Sequence, residues 1–376
     1  MAVDDPSDTQ DSVIAAKPVY KPGAGSLFGI LITNALLGFV TLGIYRFWGK
    51  TRLRRYIWGR VRFLDEAFEY SGTAMELLIG FLIVVAILIP LVIAHSLVDF
   101  LLIDSLSSEE AVVGQMVSQS VALIVFFFLI QVAIFRARRY RLTRTRWRGI
   151  AGAQSGSSLK YALLACGLIV LTALSLGLAY PFMSTTLERY KIGNTWLGTE
   201  GFSFTGQARA LFPRWLLCWL FMVPTLFIVF FWYRARELRY FTAQTRLGGL
   251  QFSSDITGGK IFLVYLLYYL ALSGLGVVVN IVVVVATATT GGFTGTMEDL
   301  SGASVVLPLV IGLSTVLVLL FASVLYTLLV TSRLLEVICD SLEVRGAMDF
   351  DALEQSALSA PKRGEGLADA LDVGGL

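Results

Sequence analysis

Chemically reactive side chains are scarce in this chain. It has one histidine, His95, and three scattered cysteines, which form neither a CxxC pair nor a metal-ligand spacing. We therefore interpret the cysteines as small apolar residues and predict no metal site. No Walker loop, HExxH, GxSxG or dinucleotide fingerprint occurs, so we expect no enzyme activity and no cofactor. The cysteines are Cys166, Cys218 and Cys339.

Charged residues are also scarce, at 15% of the chain, whereas hydrophobic residues make up 56%. Soluble domains carry closer to about a quarter charged residues. The apolar residues form seven blocks, each near the roughly 20 residues that a helix needs to cross a bilayer. This pattern predicts an all-α polytopic membrane protein with about seven transmembrane helices. The blocks are 26–45, 76–102, 111–135, 159–182, 210–232, 261–287 and 304–330. The first is the shortest, and the sequence leaves open whether it spans fully.

The two ends of the chain are more polar than its middle. Residues 1–24 lack the basic start and early apolar core of a signal peptide, and we predict a disordered tail there. Residues 25–332 are the predicted repeated transmembrane domain. Residues 333–376 are the predicted cytoplasmic, partly disordered tail, with a short helix near 350–358.

Arginine-rich connectors predict the orientation. They follow the first, third and fifth blocks, and the positive-inside rule places them on the cytoplasmic side of the membrane. Helix parity then puts the C-terminus in the cytoplasm and the N-terminus outside. The connector 184–209 resembles the others, although parity puts it outside. Either one repeat is inverted, or one block is re-entrant or amphipathic and the repeats are parallel.

The connectors are copies of one pattern, spaced by fifty residues. An Arg-Tyr pair is followed by a threonine five residues after the tyrosine, and then by a glycine. The copies are Arg139-Tyr140 with Thr145 and Gly149, Arg189-Tyr190 with Thr195 and Gly198, and Arg239-Tyr240 with Thr245 and Gly248. Arg55-Tyr56 begins a fourth copy, and Leu42-Gly43 is echoed by Leu176-Gly177.

Each Arg-Tyr pair is followed by the signature of a short β-hairpin. In 62–70 and 195–204, aromatic and apolar runs with period-two alternation flank polar or glycine turns. We therefore predict short β-hairpins in the connectors. Gly152 replaces the aromatic residue expected in the second copy, which weakens the prediction of a hairpin there.

Residues 41–56, TLGIYRFWGKTRLRRY, followed by FEYSG at 68–72, resemble the YjgN-like family of bacterial inner-membrane proteins (domain of unknown function 898). The elements NTWLG at 194–198 and TRLGG at 245–249 resemble a recurring element of that family. The likeness covers roughly residues 21–336. It implies a membrane location and internal repetition, and it implies no reaction, substrate or catalytic residue.

The arginine-aromatic segments are the first candidate site. They are interpreted as topology signals and snorkelling anchors, as sites for anionic lipid headgroups, or as contacts for a protein partner. We expect membrane lipids as partners and no nucleic acid. The candidate contact residues are Arg52, Arg54, Arg55, Tyr56, Arg138, Arg139, Tyr140, Arg239 and Tyr240.

Polar residues inside the apolar blocks are the second candidate site. Asn and Gln at such positions either serve function or join helices by hydrogen bonds. His95 and Asp99, four residues apart, lie on one helical face and are interpreted as a proton relay or as ordinary groups at the outer interface. The candidates are Asn34, His95, Asp99, Gln131 and Asn280.

Two functions are carried forward from the sequence. The first is a transporter or lipid-contacting permease-like protein built from repeated units. The alternative is a membrane scaffold that binds anionic lipid or a protein partner through its cytoplasmic arginine-aromatic surface. An intramembrane enzyme is disfavoured because nucleophiles and bases do not cluster.

Overall fold

The structure is a computed structural model that describes residues 14–103, 108–289, 306–350, 353–356 and 358. Its eleven helices form five consecutive pairs, because α10 and α11 are one helix continued through a π-helical stretch, and short strands join each pair to the next. The helices are α1 Ala24–Val40, α2 Arg46–Trp58, α3 Ala74–Val98, α4 Ser108–Arg144, α5 Ser158–Leu174, α6 Tyr180–Ile192, α7 Ala208–Met222, α8 Val229–Ala243, α9 Gly258–Thr289, α10 Val306–Leu325 and α11 Ser332–Ser341. Two π-helical stretches, Asp99–Ile103 and Tyr326–Thr331, follow α3 and α10.

The strands assemble into sheets on one side of the helices. They are β1 Ile14–Ala16, β2 Val19–Tyr20, β3 Val61–Phe63, β4 Glu66–Ala67, β5 Glu69–Tyr70, β6 Thr145–Trp147, β7 Ile150–Gln154, β8 Thr195–Leu197, β9 Glu200–Phe204, β10 Thr245–Leu247, β11 Leu250–Ser254 and β12 Leu342–Gly346. Nine of them form one sheet in the order β1-β12-β11-β10-β9-β8-β7-β6-β5, and β2-β3-β4 form another. The strand pairs are antiparallel.

Together the two sheets form a closed ring of strands. β1 runs on into β2 across Lys17 and Pro18, so this segment pairs with β12 on one side and β3 on the other. β4 runs on into β5 across Phe68, and this segment pairs with β3 and with β6. Only β1, β2, β4 and β5 of the described strands pair on one side alone, and this nearly complete pairing is how two-residue and three-residue strands persist although an isolated hairpin is marginal in water.

The N-terminal strand completes the fifth hairpin of the ring. The first four helix pairs are each followed by their own hairpin, whereas the fifth pair supplies only β12, whose partner is β1. Tyr20 anchors this segment: it is 2% exposed, and its hydroxyl lies 3.2 Å from Ser332 Oγ. Burial raises the pKa of Tyr20, so its hydroxyl stays neutral.

The prediction of an all-α protein with about seven transmembrane helices is wrong. The described chain contains a nine-stranded antiparallel sheet, and four of its helices are long and apolar enough to cross a membrane. The four candidate spans are Ala74–Leu101, Ser108–Arg144, Gly258–Val285 and Ile311–Ser341. They belong to the second and fifth helix pairs, which we call the crossing pairs.

Turns divide the other three predicted spans. The blocks 26–45, 159–182 and 210–232 bend at residues 41–45, 175–179 and 223–228, so the pairs α1–α2, α5–α6 and α7–α8 enter and leave on the ring side. We call these three pairs the re-entrant hairpins. Their tips are strongly apolar and exposed, with Leu42 94%, Leu176 77% and Leu226 80% exposed. Lipid, and not water, is the solvent that such tips require.

The three turns share one hydrogen-bond pattern. In each turn one residue donates its N–H to the carbonyl five residues earlier, over 2.7 Å at Gly43 and Gly177 and 2.8 Å at Phe227. Gly43 and Gly177 have φ angles of +87° and +88°, which favour glycine. Two residues before that donor, a hydroxyl side chain accepts an N–H from four residues later, over 2.9 Å at Thr41, 3.0 Å at Ser175 and 3.4 Å at Thr225. The seven-span prediction failed because these turns lie within uninterrupted apolar sequence.

The ring also corrects the orientation inferred from helix parity. All the connectors contribute strands to one ring, so they lie on one side of the helices, the connector 184–209 included. The repeats are therefore parallel, and the re-entrant alternative holds. Residues 14–20 lie on the same side as β12, so the prediction that the two ends of the chain lie on opposite sides is wrong.

Three smaller predictions are corrected at the same time. Ile14–Ala16 and Val19–Tyr20 are strands and not part of a disordered tail, while residues 1–13 lie outside the described residues. The described residues of the helix predicted at 350–358, which are 350, 353–356 and 358, are not helical, and residues 351, 352 and 357 lie outside the described residues. The second copy does form a hairpin, β6–β7. A Cβ at Gly152 would lie 3.0 Å from the Leu142 carbonyl oxygen, so close backbone approach accounts for the missing aromatic residue.

Candidate ligand-binding site

The ring of strands encloses an apolar cavity of about 500 Å³. Residues from eight of the twelve described strands, β3 and β6 to β12, line it, and its walls are mostly aromatic and aliphatic. Leu247, Leu250 and Val344 are buried at this wall, at 3%, 2% and 4% exposure. We call this space the ring cavity. Its size lies within the range of about 300–1,000 Å³ typical of small-molecule pockets.

Polar groups are confined to the end of the ring cavity that faces the helices. Arg138 of α4 and Glu188 of α6 lie there, together with the three repeated threonines. Thr195 Oγ1 accepts a hydrogen bond from Arg138 Nη2 over 3.3 Å. The spacing of fifty residues thus has a structural meaning, because each copy places its threonine at the same level of the ring. The threonines are Thr145, Thr195 and Thr245.

A second, charged cavity of about 430 Å³ lies between α6 and α8. We call it the charged cavity. Two ion pairs line it, Glu188 with Lys191 and Arg234 with Glu237. The two cavities adjoin, since both are lined by the same five residues: Glu188, Ile192, Phe202, Thr245 and Phe252. An apolar space therefore opens beside a charged one.

Glu237 is the most unusual group of the charged cavity. Its side chain is 1% exposed, and its Oε2 accepts from Arg234 Nη1. Arg234 also donates to the Tyr180 hydroxyl over 3.1 Å. The other carboxylate oxygen of Glu237, Oε1, is buried without a hydrogen-bond partner. A buried carboxylate oxygen with no donor is costly, and such groups are candidates for function.

The chain after β12 lies over the mouth of the ring. Phe350 lines the ring cavity, with its ring centroid 5.1 Å from that of Trp147. The Gln355 side-chain carbonyl accepts the N–H of Ala151 over 2.9 Å. A Cβ at Gly198 would lie 2.3 Å from the Glu354 carbonyl oxygen, so Gly198 leaves room for this segment.

Most of the arginine and tyrosine candidates make contacts within the protein. Each tyrosine ties the end of the second helix of a pair to the start of the first. Tyr56, Tyr190 and Tyr240 bond the backbone at Gly23, Ser157 and Gln207, and Tyr140 donates to Glu76 Oε2 over 2.6 Å. Arg55 and Arg139 donate to the carbonyls of Gly72 and Gly156, in the loops before the next pairs.

The remaining candidates of this set differ in exposure. Arg54 is 2% exposed, and its Nη1 donates to the Tyr70 hydroxyl over 3.3 Å. Arg239 is half-buried. Arg52 is exposed and lines an outer groove of about 410 Å³ with Arg55 and Trp48. Binding of lipid headgroups at these residues stays a prediction.

The structure brings two of the intramembrane polar candidates together. His95 Nδ1 and Asp99 Oδ1 lie 3.5 Å apart, and Ser118 Oγ of α4 lies 3.2 Å from the former and 2.5 Å from the latter. This cluster is at the end of the crossing pair away from the ring. Asn34 donates to the Gly49 carbonyl over 3.1 Å and joins α1 to α2. Gln131 is buried in α4, whereas Asn280 is exposed on α9.

Sequence reasoning did not select Glu188 and Glu237 as site residues. A signal was present, because they are the acidic residues in the second helices of the re-entrant hairpins, which are otherwise rich in arginine. Glu188 also takes the position two residues before the repeated tyrosine, where two other copies carry Arg54 and Arg138. Among the described residues, no three His, Cys, Asp or Glu side chains cluster as a metal site would require.

Comparison with known proteins confirms the resemblance noted in the sequence. Residues 18–370 match the family model described as "Bacterial protein of unknown function (DUF898)". Inner membrane protein YjgN of Salmonella typhimurium (strain LT2) is 37% identical over 71 residues, which cover 19% of this chain and 18% of that relative. No solved structure matches the chain. With its four apolar helices, the chain is a multi-pass inner-membrane protein. It belongs to the DUF898 family of bacterial proteins.

Proposed function

We propose that this protein is a lipid-binding, permease-like protein of the inner membrane, which holds one amphipathic molecule in its two adjoining cavities. The observation that carries the proposal is the change of wall chemistry between them. The ring cavity is almost wholly apolar, and the charged cavity beside it holds two ion pairs. An acyl chain fits the first space and a polar headgroup the second.

Desolvation favours this division of the ligand. Burying apolar surface contributes about 25 cal/mol for each Å² removed from water, and the ring cavity offers an apolar chain a continuous aromatic and aliphatic wall. The charged groups at the boundary, Arg138 and Glu188, then hold the headgroup in one place. Soluble polar molecules lack the apolar part that the ring cavity would bury.

A matched pair of substitutions tests lipid binding. Phe202 lines both cavities, and Ser203, the next residue of β9, is exposed. We expect Phe202→Glu to lower lipid retention by the detergent-purified protein about tenfold or more, because it places a carboxylate in the apolar wall. Ser203→Glu adds the same charge outside the cavity and is expected to leave retention unchanged. Mass spectrometry of extracted lipid gives the measurement, and equal retention in both variants contradicts the proposal.

The permease-like part of the proposal has its own test. The charged cavity lies between α6 and α8 of two re-entrant hairpins, and the ring cavity adjoins it, so a bound lipid is within reach of the bilayer if the hairpin tips lie in hydrocarbon. We expect the purified protein to speed the movement of a fluorescent phospholipid between the leaflets of liposomes, and Phe202→Glu to slow that movement. Rates equal to those of protein-free liposomes reduce the function to lipid binding alone.

The outer groove favours the scaffold alternative as a second candidate function. Arg52 and Arg55 line it beside Tyr45 and Trp48, which stack with ring centroids 6.5 Å apart. Arginines beside aromatic rings suit an anionic headgroup at the membrane surface. Arg52→Glu is expected to weaken cardiolipin retention by about 1 kcal/mol or more. Arg246→Glu, an exposed change on β10, is the control, and equal losses in the two variants count against the groove.

A further inference from the structure

We propose that the charged cavity selects a lipid headgroup that carries a primary ammonium, and that the unpartnered Oε1 of Glu237 accepts its N–H. This inference rests on the proposed function and adds the chemical class of the headgroup.

The first step is the missing donor at Glu237. A carboxylate offers about four acceptor positions, and the structure fills Oε2 through Arg234 and leaves Oε1 without a partner at 1% exposure. The hydroxyl of Tyr233, one helical turn earlier, is also buried without a partner, so it does not donate to this oxygen. Glu237 lines the charged cavity with Oε1 covered by its neighbours, so a ligand in that space supplies the donor once a covering side chain moves aside.

The second step is the charge of that donor. A buried carboxylate oxygen without a hydrogen bond costs more free energy than a neutral polar atom without one. A cationic donor therefore stabilises this oxygen more than a neutral donor does. A primary ammonium brings three N–H groups, whereas a quaternary ammonium carries a charge and no N–H. Hydroxyl headgroups bring a donor without the charge. Of these groups, the primary ammonium alone supplies both.

The third step is the order of charges from the ring cavity to Glu237. Arg138 lines the ring cavity, Glu188 lines both cavities, and Lys191, Arg234 and Glu237 line the charged cavity. A phospholipid presents its groups in a similar order: apolar chain, anionic phosphodiester, then headgroup. The cations Arg138 and Lys191 are placed for the phosphodiester, and Glu237 is placed for the ammonium beyond it. A zwitterionic phosphoethanolamine headgroup matches this order.

Headgroup methylation tests the inference on the unmodified protein. The full-length protein is freed of lipid in detergent and offered phosphatidylethanolamine, its mono- and dimethylated forms, phosphatidylcholine and phosphatidylglycerol, all with the same acyl chains. We expect retention, measured by native mass spectrometry, to fall stepwise as methyl groups replace N–H donors. The whole range is expected to be about tenfold. Equal retention of all five lipids overturns the inference and leaves lipid binding intact.

A matched pair of acidic residues assigns the effect to Glu237. Arg333 and Glu336 on α11 form an Arg-Glu pair with the same spacing as Arg234 and Glu237, but Glu336 is 30% exposed and lines neither cavity. Glu237→Gln is expected to abolish the preference for the primary ammonium, and Glu336→Gln to preserve it. Loss of the preference in both variants overturns the assignment.

The remaining outcomes separate the inference from the function on which it rests. Retention of no lipid by the unmodified protein contradicts the proposed function itself. Retention that follows the concentration of Na⁺ or K⁺ and ignores headgroup methylation assigns Oε1 to a metal cation and overturns the inference. If Glu237→Gln fails to fold, the methylation series on the unmodified protein still decides the question.

Discussion

The crossing pairs and the re-entrant hairpins are built from similarly apolar sequence, yet they meet the membrane in different ways. In the crossing pair α3–α4 the helices have 25 and 37 residues, whereas α5 and α6 have 17 and 13. Both kinds of pair begin and end on the ring of strands. What separates them is a short turn closed by a hydroxyl residue. Apolar length alone therefore does not tell a span from a hairpin that turns back.

The two kinds of pair also close differently at the ring. In the re-entrant hairpins the repeated tyrosine bonds the backbone at the start of the first helix. In the crossing pair α3–α4, Tyr140 instead donates to Glu76, which Arg144 holds with two bonds of 3.0 and 2.9 Å. The longer pair thus carries an ionic cluster where the shorter ones use main-chain bonds.

The largest expected effect is a charge at the tip of a re-entrant hairpin. Leu42 is 94% exposed, so Leu42→Arg removes little packing within the protein. If the tip lies in hydrocarbon, the guanidinium costs about 3 kcal/mol. Val112→Arg, at the end of α4 away from the ring, is the control and is expected to cost much less because a charge there reaches the interface. Thermal unfolding in nanodiscs measures both, and a near-zero effect at Leu42 places the tip in water.

Replacing glycine by alanine is expected to have a smaller effect on stability than the tip charge. The substitution is expected to destabilise the protein in the turn of a re-entrant hairpin and to stabilise it in the adjacent helix. Gly177 has a φ of +88°, and Gly177→Ala is expected to destabilise by about 1–2 kcal/mol. Gly167 lies within α5 with open space around its Cβ position, and Gly167→Ala is expected to stabilise by about 0.5–1 kcal/mol. Unfolding midpoints of the two variants give the comparison. Equal shifts of the unfolding midpoint with the same sign contradict the left-handed backbone conformation at Gly177.

The smallest expected effects come from removing the tyrosine hydroxyls. Tyr190→Phe loses the bonds to the N–H and carbonyl of Ser157, for about 1 kcal/mol. Tyr140→Phe loses a bond to the Glu76 carboxylate, but two bonds from Arg144 still hold that partly exposed group, so we expect a loss of similar size. We expect the two losses to agree within about 1 kcal/mol. A much larger loss at Tyr140 makes its hydroxyl an essential part of the ionic cluster.

Local features of this fold were predictable and long-range ones were not. The period-two pattern at Thr195–Leu197 and Glu200–Phe204 predicts a hairpin, and β8–β9 is one. Closure of the ring depends on Ile14–Ala16, a short apolar stretch in a polar segment whose partner β12 lies over 300 residues away. No local signal specifies such a pairing.

The re-entrant turns show why hydropathy misled the span count. The sequence repeats Leu42-Gly43 as Leu176-Gly177, yet one glycine does not interrupt an apolar block. The third turn has Leu226 and Phe227 at φ angles of +49° and +65°, and no glycine marks it at all. The charged cavity could not be predicted from local sequence either. Glu188 and Glu237 line the same cavity only because two parallel repeats pack side by side.

The central claim is that every strand-bearing connector lies on one side of the membrane. Cysteine labelling in intact cells tests it most directly. In a background without the native cysteines, Glu66→Cys and Ser203→Cys occupy exposed positions on the ring, and Val112→Cys lies at the far end of α4. We predict one of two labelling patterns with a membrane-impermeant maleimide. Either it labels both ring positions and not Val112→Cys, or it labels Val112→Cys and neither ring position. If Ser203→Cys instead reacts together with Val112→Cys, the third pair crosses the membrane and the ring does not exist.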